Sequence, residues 1–196
     1  MTDEPAPLAA IFREIVSLLA TCEDAVVFGA HAVNAYSEPE RMTAGIDVLS
    51  TDAAGLAEDV RAMIAERFRI VMRVREVVPG VFRVSQLRKP TNRLLAHVRQ
   101  TTQLPPFREI GRVRVVEPVE LAAMKAIAMA ARKGQEKGLS DRLDLHRLLR
   151  AFPDLRAEDG RVPARLAALR ADSASVAAWR EIVQTPLEVD DEDTDD

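Results

Sequence analysis

Two neighbouring stretches decide the fold, residues 26–36 with the sequence VVFGAHAVNAY and residues 41–50 with the sequence RMTAGIDVLS. In the first, a short apolar run ends at Gly29 and passes into residues of helical character, which predicts a strand that leads directly into a helix. In the second, Asp47 stands in an apolar, β-forming run. Because a buried carboxylate costs free energy unless a partner or a ligand satisfies it, Asp47 is either a functional residue or a structural acid with hydrogen-bond partners.

Hydrophobic periodicity extends this pattern in both directions. Apolar residues at helical spacing predict a helix over residues 7–20, and Thr51 or Asp52 is placed to cap a helix that runs to Phe68. The middle of the chain favours strands and its end favours helices, one of them with Ser140 as its cap. This order predicts an α/β or α+β domain with a C-terminal helical part. The predicted strands are 25–28, 44–50, 69–77, 80–86, 94–100 and 112–116, and the later helices are 119–132, 140–151, 163–170 and 173–184.

Charge divides the chain into a mildly basic body and an acidic end. Seven of its 31 acids lie in residues 188–196, EVDDEDTDD, which leaves 24 acids against 27 bases in residues 1–187. Such a run of like charges is typical of a disordered segment, although a tail that masks a basic surface is an alternative. We expect an α/β core over residues 1–117, a helical part over 118–187 packed on it, and a disordered acidic tail over 188–196.

Composition excludes several classes of protein. With 47% hydrophobic and 30% charged residues, the chain is suited to a packed domain. It has no apolar run near the roughly 20 residues that span a bilayer, and its acidic, proline-containing start is unlike a signal peptide. The single Cys22 and three scattered histidines give no zinc-binding spacing. We expect a cytoplasmic protein with no membrane partner.

Basic residues are concentrated in the β-rich middle. Residues 67–108 hold ten of them against one acid, Glu76, which suits a phosphate-bearing ligand, RNA or an acidic protein partner. The alternative is that alternating arginines only form the solvated face of a sheet. Aromatic residues are sparse in this segment, which disfavours base stacking. The ten bases are Arg67, Arg69, Arg73, Arg75, Arg83, Arg88, Lys89, Arg93, Arg99 and Arg108.

The two opening stretches together resemble the nucleotidyltransferase superfamily, in particular its minimal nucleotidyltransferases and AbiEii-type toxins. Members of that group have a strand, a Gly-Gly or Gly-Ser step, a short helix and then an Arg-x-Thr-x-Asp-x-Asp motif. Here Gly29 stands at the glycine step, and an arginine and a threonine precede Asp47 by six and four residues. The resemblance implies a nucleotidyltransferase-like mixed sheet flanked by helices, with a nucleoside triphosphate as ligand. The residues that it places at the phosphates are Gly29, Ala30, His31, Arg41 and Thr43.

A second segment carries the resemblance to about residue 150. Residues 113–149, VRVVEPVELAAMKAIAMAARKGQEKGLSDRLDLHRLL, are similar to the group's C-terminal segment. That segment has a strand, a helix with a lysine, a basic connection and an Asp-x-x-Asp pair that opens another helix. The resemblance implies catalytic roles for Lys125, Asp141 and Asp144 beside Asp47 if the protein is active. The alternatives are a solvated lysine and two acids that only stabilise a helix N-terminus.

The chain departs from the family at two of its three metal-binding positions. In the family, two acids two residues apart on one strand and a third acid on a neighbouring strand hold two Mg²⁺ ions. Here the first position is Gly45 and the third falls on His97. No Asp or Glu occurs between Glu76 and Glu109 to replace it. Because imidazole is a poor ligand for Mg²⁺, Asp47 alone is left as a weak metal ligand, and whether the protein is an enzyme stays open.

The leading prediction is a nucleotidyltransferase-fold protein with impaired catalysis that binds a nucleotide, or an RNA or protein partner, in a context such as a toxin–antitoxin pair. The first alternative is an active toxin that modifies a tRNA or a protein and pairs Asp47 with a displaced acid. The second alternative is a non-catalytic module whose basic sheet face meets an acidic partner or the protein's own tail. The displaced acids of the first alternative are Asp52, Asp141 and Asp144.

Overall fold

The computed structural model describes residues 7–185, which belong to two compact units. The units are Met1–Glu117 and Pro118–Asp196. Within residues 7–185 no helix is long and apolar enough to cross a membrane. The acidic tail predicted over residues 188–196 lies outside the described residues.

The first unit is built on a mixed sheet of seven strands within residues 7–117. Its helices are α1 (Leu8–Leu19), α2 (Gly29–Tyr36) and α3 (Ala53–Phe68), and its strands are β1 (Ala25–Phe28), β2 (Ile46–Ser50), β3 (Met72–Val78), β4 (Val81–Gln86), β5 (Arg93–Gln100), β6 (Phe107–Ile110) and β7 (Val113–Val116). The strand order is β3-β4-β5-β2-β1-β7-β6. The pairs β1–β7 and β2–β5 are parallel and the other pairs are antiparallel. The predicted mixed sheet with flanking helices is confirmed.

One face of the sheet is covered by α3, which packs against β2, β3, β4 and β5. On this face Ile46, Ala96 and Val84 pair across β2, β5 and β4, and each is fully buried. Because side chains alternate between the two faces of a strand, the residue next to each of them points to the opposite face. Alternation therefore places a polar row, described below, on the side away from α3.

The β-rich middle differs from its prediction at two places. Arg69 has a left-handed φ of 54° and ends α3, so β3 begins at Met72 and not at residue 69. The structure also adds β6, which pairs with β7. A strand of four mostly exposed residues after two prolines has neither the burial pattern nor the length that sequence periodicity detects.

The second unit is helical throughout its described part. It comprises α4 (Pro118–Ala131), α5 (Glu136–Ala151), a 3-10 turn (Pro153–Arg156), α6 (Arg161–Ala168) and α7 (Ser173–Gln184). α4 packs against α5, α6 and α7, and the buried side chains include Leu121, Leu145, Leu166 and Trp179. The bounds predicted for α7 are confirmed, since Asp172 caps this helix by accepting a hydrogen bond from the backbone N–H of Ser175 at 2.8 Å.

The start of α5 corrects the cap predicted from the sequence. The helix begins at Glu136 without a side-chain cap, and Ser140 lies inside it, where its hydroxyl donates to the Glu136 carbonyl oxygen at 3.4 Å. Asp141 and Asp144 are therefore beyond the first helical turn. Since the effect of the helix dipole on a charge falls off within that turn, it does not account for these two acids.

Candidate functional site

A row of three polar side chains crosses the sheet on the face opposite α3. Residues paired on neighbouring strands place their side chains on the same face. The members of the row, paired in register on β2, β5 and β4, are Asp47, His97 and Arg83. We call these three residues the Asp47 row, in which a carboxylate, an imidazole and a guanidinium group follow one another.

Hydrogen bonding fixes the orientation of His97. The Nε–H of Arg83 donates to Nε2 of His97 at 2.8 Å, so the neutral imidazole carries its proton on Nδ1. Nδ1 lies 3.5 Å from Oδ1 of Asp47. The row therefore directs an imidazole N–H towards the Asp47 carboxylate, at the position where the resemblance calls for a further acid.

Gly29 leaves space for the Asp47 carboxylate. Its φ of 71° is left-handed, and a Cβ atom at this position would stand 2.5 Å from Oδ2 of Asp47 and 3.1 Å from its Cβ. α2 begins at Gly29 without a side-chain cap, so the first backbone N–H groups of the helix, including that of Ala30, lack an intrahelical acceptor. The positive end of the helix dipole favours negative charge here, whether that of Asp47 or of a bound phosphate.

His31 lies in the first turn of α2, beside Phe12 of α1. The two rings meet edge to face with their centroids 6.2 Å apart. Burial lowers the pKa of the His31 imidazole, and the charges of Glu40 and Asp47 partly oppose this shift. His31 is therefore neutral at pH 7, and it can offer a phosphate one N–H donor but no positive charge.

The loop before β2 is held by Asn34 of α2, a residue that the sequence did not single out. The side-chain amide of Asn34 donates to the carbonyl oxygen of Arg41 at 2.7 Å and accepts from the Arg41 backbone N–H at 3.2 Å. The Arg41 guanidinium donates to the Met42 carbonyl oxygen at 3.3 Å, and Thr43 is half-buried. No local pattern marks Asn34, because the contact depends on how the loop folds back on α2. The phosphate-binding roles of Arg41 and Thr43 stay predictions.

The predicted residues of the second unit form a buried ion cluster. Nζ of Lys125 donates to Oδ1 of Asp141 at 2.9 Å and to Oδ2 of Asp144 at 2.7 Å. Nη1 of Arg132 donates to the other oxygen of Asp141 at 2.6 Å. The side chains of Lys125, Asp141 and Asp144 are 9%, 5% and 0% exposed. Lys125 is thus not a solvated helix lysine, and its charge is balanced by two acids; the catalytic roles of all three stay predictions.

The side chains at Asp47 do not suit the two Mg²⁺ ions that the resemblance implies. Mg²⁺ prefers oxygen ligands in near-octahedral geometry. Gly45 has no side chain, and His97 already accepts a hydrogen bond at Nε2. Asp52, one of the displaced acids, caps α3. Within residues 7–185, no three His, Cys, Asp or Glu side chains come together as a metal site.

Comparison with known proteins identifies the fold through structure, since no protein-family model and no curated protein sequence gives a significant match. JHP933 from Helicobacter pylori has a TM-score of 0.60 and 15% identity over 94% of this chain and 92% of that one. A candidate nucleotidyltransferase from H. pylori has a TM-score of 0.56 and 15% identity over 94% of this chain and 95% of that one. The polyadenylate synthase of Megavirus has a TM-score of 0.59 and 14% identity over 79% of this chain, which spans 33% of that enzyme's length.

At these identities the similarity shows the fold alone. The glycine at the start of α2 and the carboxylate on β2 are among the residues through which the sequence resembles nucleotidyltransferases. Membership of the AbiEii-type group stays a prediction. The chain has a nucleotidyltransferase fold.

Proposed function

We propose that the protein binds the phosphate groups of a nucleotide at the Asp47 row and the start of α2, without transferring the nucleotidyl group by a two-metal mechanism. The observation that carries this proposal is the Asp47 row itself, where one carboxylate is followed by an imidazole and a guanidinium group. Positive charge and N–H donors stand where a metal-dependent site needs carboxylates.

Phosphate binding at this row does not require a metal ion. In a two-metal site the ions neutralise the phosphates and activate the attacking oxygen. Arg83 is exposed, and a guanidinium group binds phosphate oxygens through charge-assisted, often paired hydrogen bonds. The guanidinium group of Arg83 neutralises phosphate charge, but it does not act as a Lewis acid on the reacting oxygens as a metal ion does. The expected outcome is a protein that retains nucleotide binding and lacks transfer.

A rearranged active site is less well supported than loss of transfer. It would need a second carboxylate beside Asp47, and each acid considered for that role has another engagement. Asp52 caps α3, and Asp141 and Asp144 are paired with Lys125. Moving either of the last two would leave buried charge without its partner, at a free-energy cost of several kcal/mol, roughly 3–5.

The comparisons support a nucleotide as the class of ligand. Two of the similar folds belong to proteins described as a polyadenylate synthase and a candidate nucleotidyltransferase. The resemblance to AbiEii-type toxins extends the proposal to a toxin–antitoxin context. A chain that binds nucleotides without transfer would act in that context through an RNA or protein partner.

Calorimetric titration with ATP, GTP, CTP and UTP, in Mg²⁺ and in EDTA, tests nucleotide binding. We expect at least one nucleotide to bind with similar affinity in both buffers and to bind Asp47→Ala at least as tightly as wild type, because the substitution removes a negative charge that repels phosphate. Arg83→Gln is expected to weaken binding about tenfold or more, since a hydrogen bond to a charged group contributes roughly 1.5–3 kcal/mol.

Asp59→Ala is the matched control for Asp47→Ala, because it removes an exposed carboxylate from α3. The proposal is contradicted if binding requires Mg²⁺ and is lost in Asp47→Ala but not in Asp59→Ala. Absence of binding by all four nucleotides would contradict it as well.

A further inference from the structure

A basic groove lies on the same face of the sheet as the Asp47 row, on β3, β4 and the start of β5. Its volume is about 240 Å³, and no acidic side chain lines it. We call it the arginine groove. Its polar lining residues are Arg73, Arg75, Arg83, Ser85 and Asn92.

Strand register explains why the arginines converge. Arg75 pairs directly with Arg83 across β3 and β4, and Arg73 pairs with Ser85 in the same way. Alternation along each strand then places all four side chains on one face. Arg83 belongs to both the groove and the Asp47 row, so the two features are continuous.

The positive charge of the groove is not balanced within the described chain. Among residues 7–185, Arg73, Arg75 and Arg83 make no salt bridge to an acid. Glu76, the acid nearest in sequence, pairs with Phe82 in register and accepts a hydrogen bond from the Gly80 backbone N–H at 2.8 Å. Like charges directly opposite each other in a sheet are destabilising. An anionic ligand would remove this repulsion.

The size and surroundings of the groove favour a polymer over a small anion. Arg88 and Lys89 in the β4–β5 connection are exposed and extend the positive surface beyond the groove. From β3 to β5 the groove spans two strand spacings, about 9–10 Å. This exceeds the span of a single phosphate group and suits successive phosphates of a polymer.

The lining also indicates which part of a polymer is contacted. It contains no aromatic side chain, so it offers no platform on which bases stack. Guanidinium, hydroxyl and amide groups instead suit phosphate oxygens. We propose that the arginine groove binds the phosphate backbone of nucleic acid. This inference goes beyond the nucleotide site proposed above and does not rest on it.

Fluorescence anisotropy with a labelled 12-nucleotide oligo(U) and the matching oligo(dT), at several salt concentrations, tests the inference. We expect binding that weakens with salt, and a further loss of about tenfold or more in the double variant Arg73→Gln/Arg75→Gln. Each phosphate contact contributes about 0.7 to the slope of log affinity against log salt on single strands. The double variant is therefore expected to lower that slope by about 1.4.

The double variant Arg61→Gln/Arg67→Gln is the matched control, because it removes the same charge from α3, where these arginines pair with Glu58 and Glu14. Circular dichroism of both double variants checks that they fold. Equal weakening in the two variants would mean non-specific attraction and would overturn the proposal, as would the absence of binding at 50 mM salt, a low value at which phosphate contacts are strong.

Labelled poly-glutamate is the competing ligand. If it binds with dependence on Arg73 and Arg75 and the oligonucleotides do not, the groove serves an acidic polypeptide and the nucleic-acid assignment is wrong. The Asp47 row is intact in both double variants. Titrating them with nucleotides therefore distinguishes failure of this inference from failure of the proposed nucleotide site.

Discussion

Replacing Lys125 with alanine is expected to lower the free energy of unfolding by about 3–5 kcal/mol, a large part of the 5–15 kcal/mol typical of a domain. The ammonium group is the shared partner of Asp141 and Asp144, whose side chains are 5% and 0% exposed. Arg132 still faces Asp141 after the substitution, but Asp144 loses its contact with Lys125. Urea denaturation followed by circular dichroism measures the change.

Lys137→Ala is the matched control for Lys125→Ala, because Lys137 is exposed on the neighbouring helix α5. It should change stability by less than about 0.5 kcal/mol. A second variant, Lys125→Met/Asp144→Leu, removes both charges and should lose less stability than Lys125→Ala, since the buried carboxylate that loses the ammonium group is then removed as well. Equal stability of Lys125→Ala and Lys137→Ala would contradict the buried cluster.

Gly29→Ala is expected to lower the free energy of unfolding more than the same substitution at Gly111, the left-handed glycine of the first unit that has no atom near its Cβ position. The left-handed φ of 71° alone costs a non-glycine residue about 1–2 kcal/mol. The added Cβ would also stand 3.1 Å from the Cβ of Asp47, a contact that rotation of the carboxylate does not relieve. Either β1 or β2 must shift, and the thermal midpoint of unfolding should fall accordingly.

Gly111→Ala separates the cost of the left-handed φ from the cost of the contact with Asp47. Gly111 has a similar left-handed φ of 54°, but a Cβ there meets nothing within 4 Å. The free energy of unfolding of this variant should therefore fall only by the cost of the left-handed φ, about 1–2 kcal/mol. In Gly29→Ala/Asp47→Ala the added methyl group gains some room, and the double variant should lose less than the sum of the single changes. Equal losses in Gly29→Ala and Gly111→Ala would refute the close contact with Asp47.

Local sequence patterns predict most elements of the fold but not all of their ends. The bounds of α7 are predicted in full, and in the structure Asp172 caps this helix at its start. The start of α5 is predicted four residues too late. Its true first residue, Glu136, has no side-chain cap that would mark it in the sequence, whereas Ser140 inside the helix is of a residue type that commonly caps helices. β6 is missed because its residues are largely exposed. Hydrophobic periodicity reflects burial, so it does not predict an element whose residues are mostly exposed.

The candidate site is predicted only in part for a different reason. Asp47 is marked by its apolar neighbours, and the resemblance selects His97 as the residue at the third acid position. The hydrogen bond between Arg83 and His97 depends on the antiparallel pairing of β4 with β5, and strand order is not encoded in any local stretch. The burial of Lys125 likewise depends on how α4 packs against α5, which residue spacing alone does not reveal.

Release of pyrophosphate from nucleoside triphosphates in Mg²⁺, measured with wild type and Asp47→Ala in the presence of total RNA, tests the central claim most directly. A site with one carboxylate, a hydrogen-bonded imidazole and a guanidinium group is predicted to give the same background rate in both proteins. Release that requires Mg²⁺ and falls to background in Asp47→Ala, as loss of a metal-binding carboxylate would produce, would contradict the account.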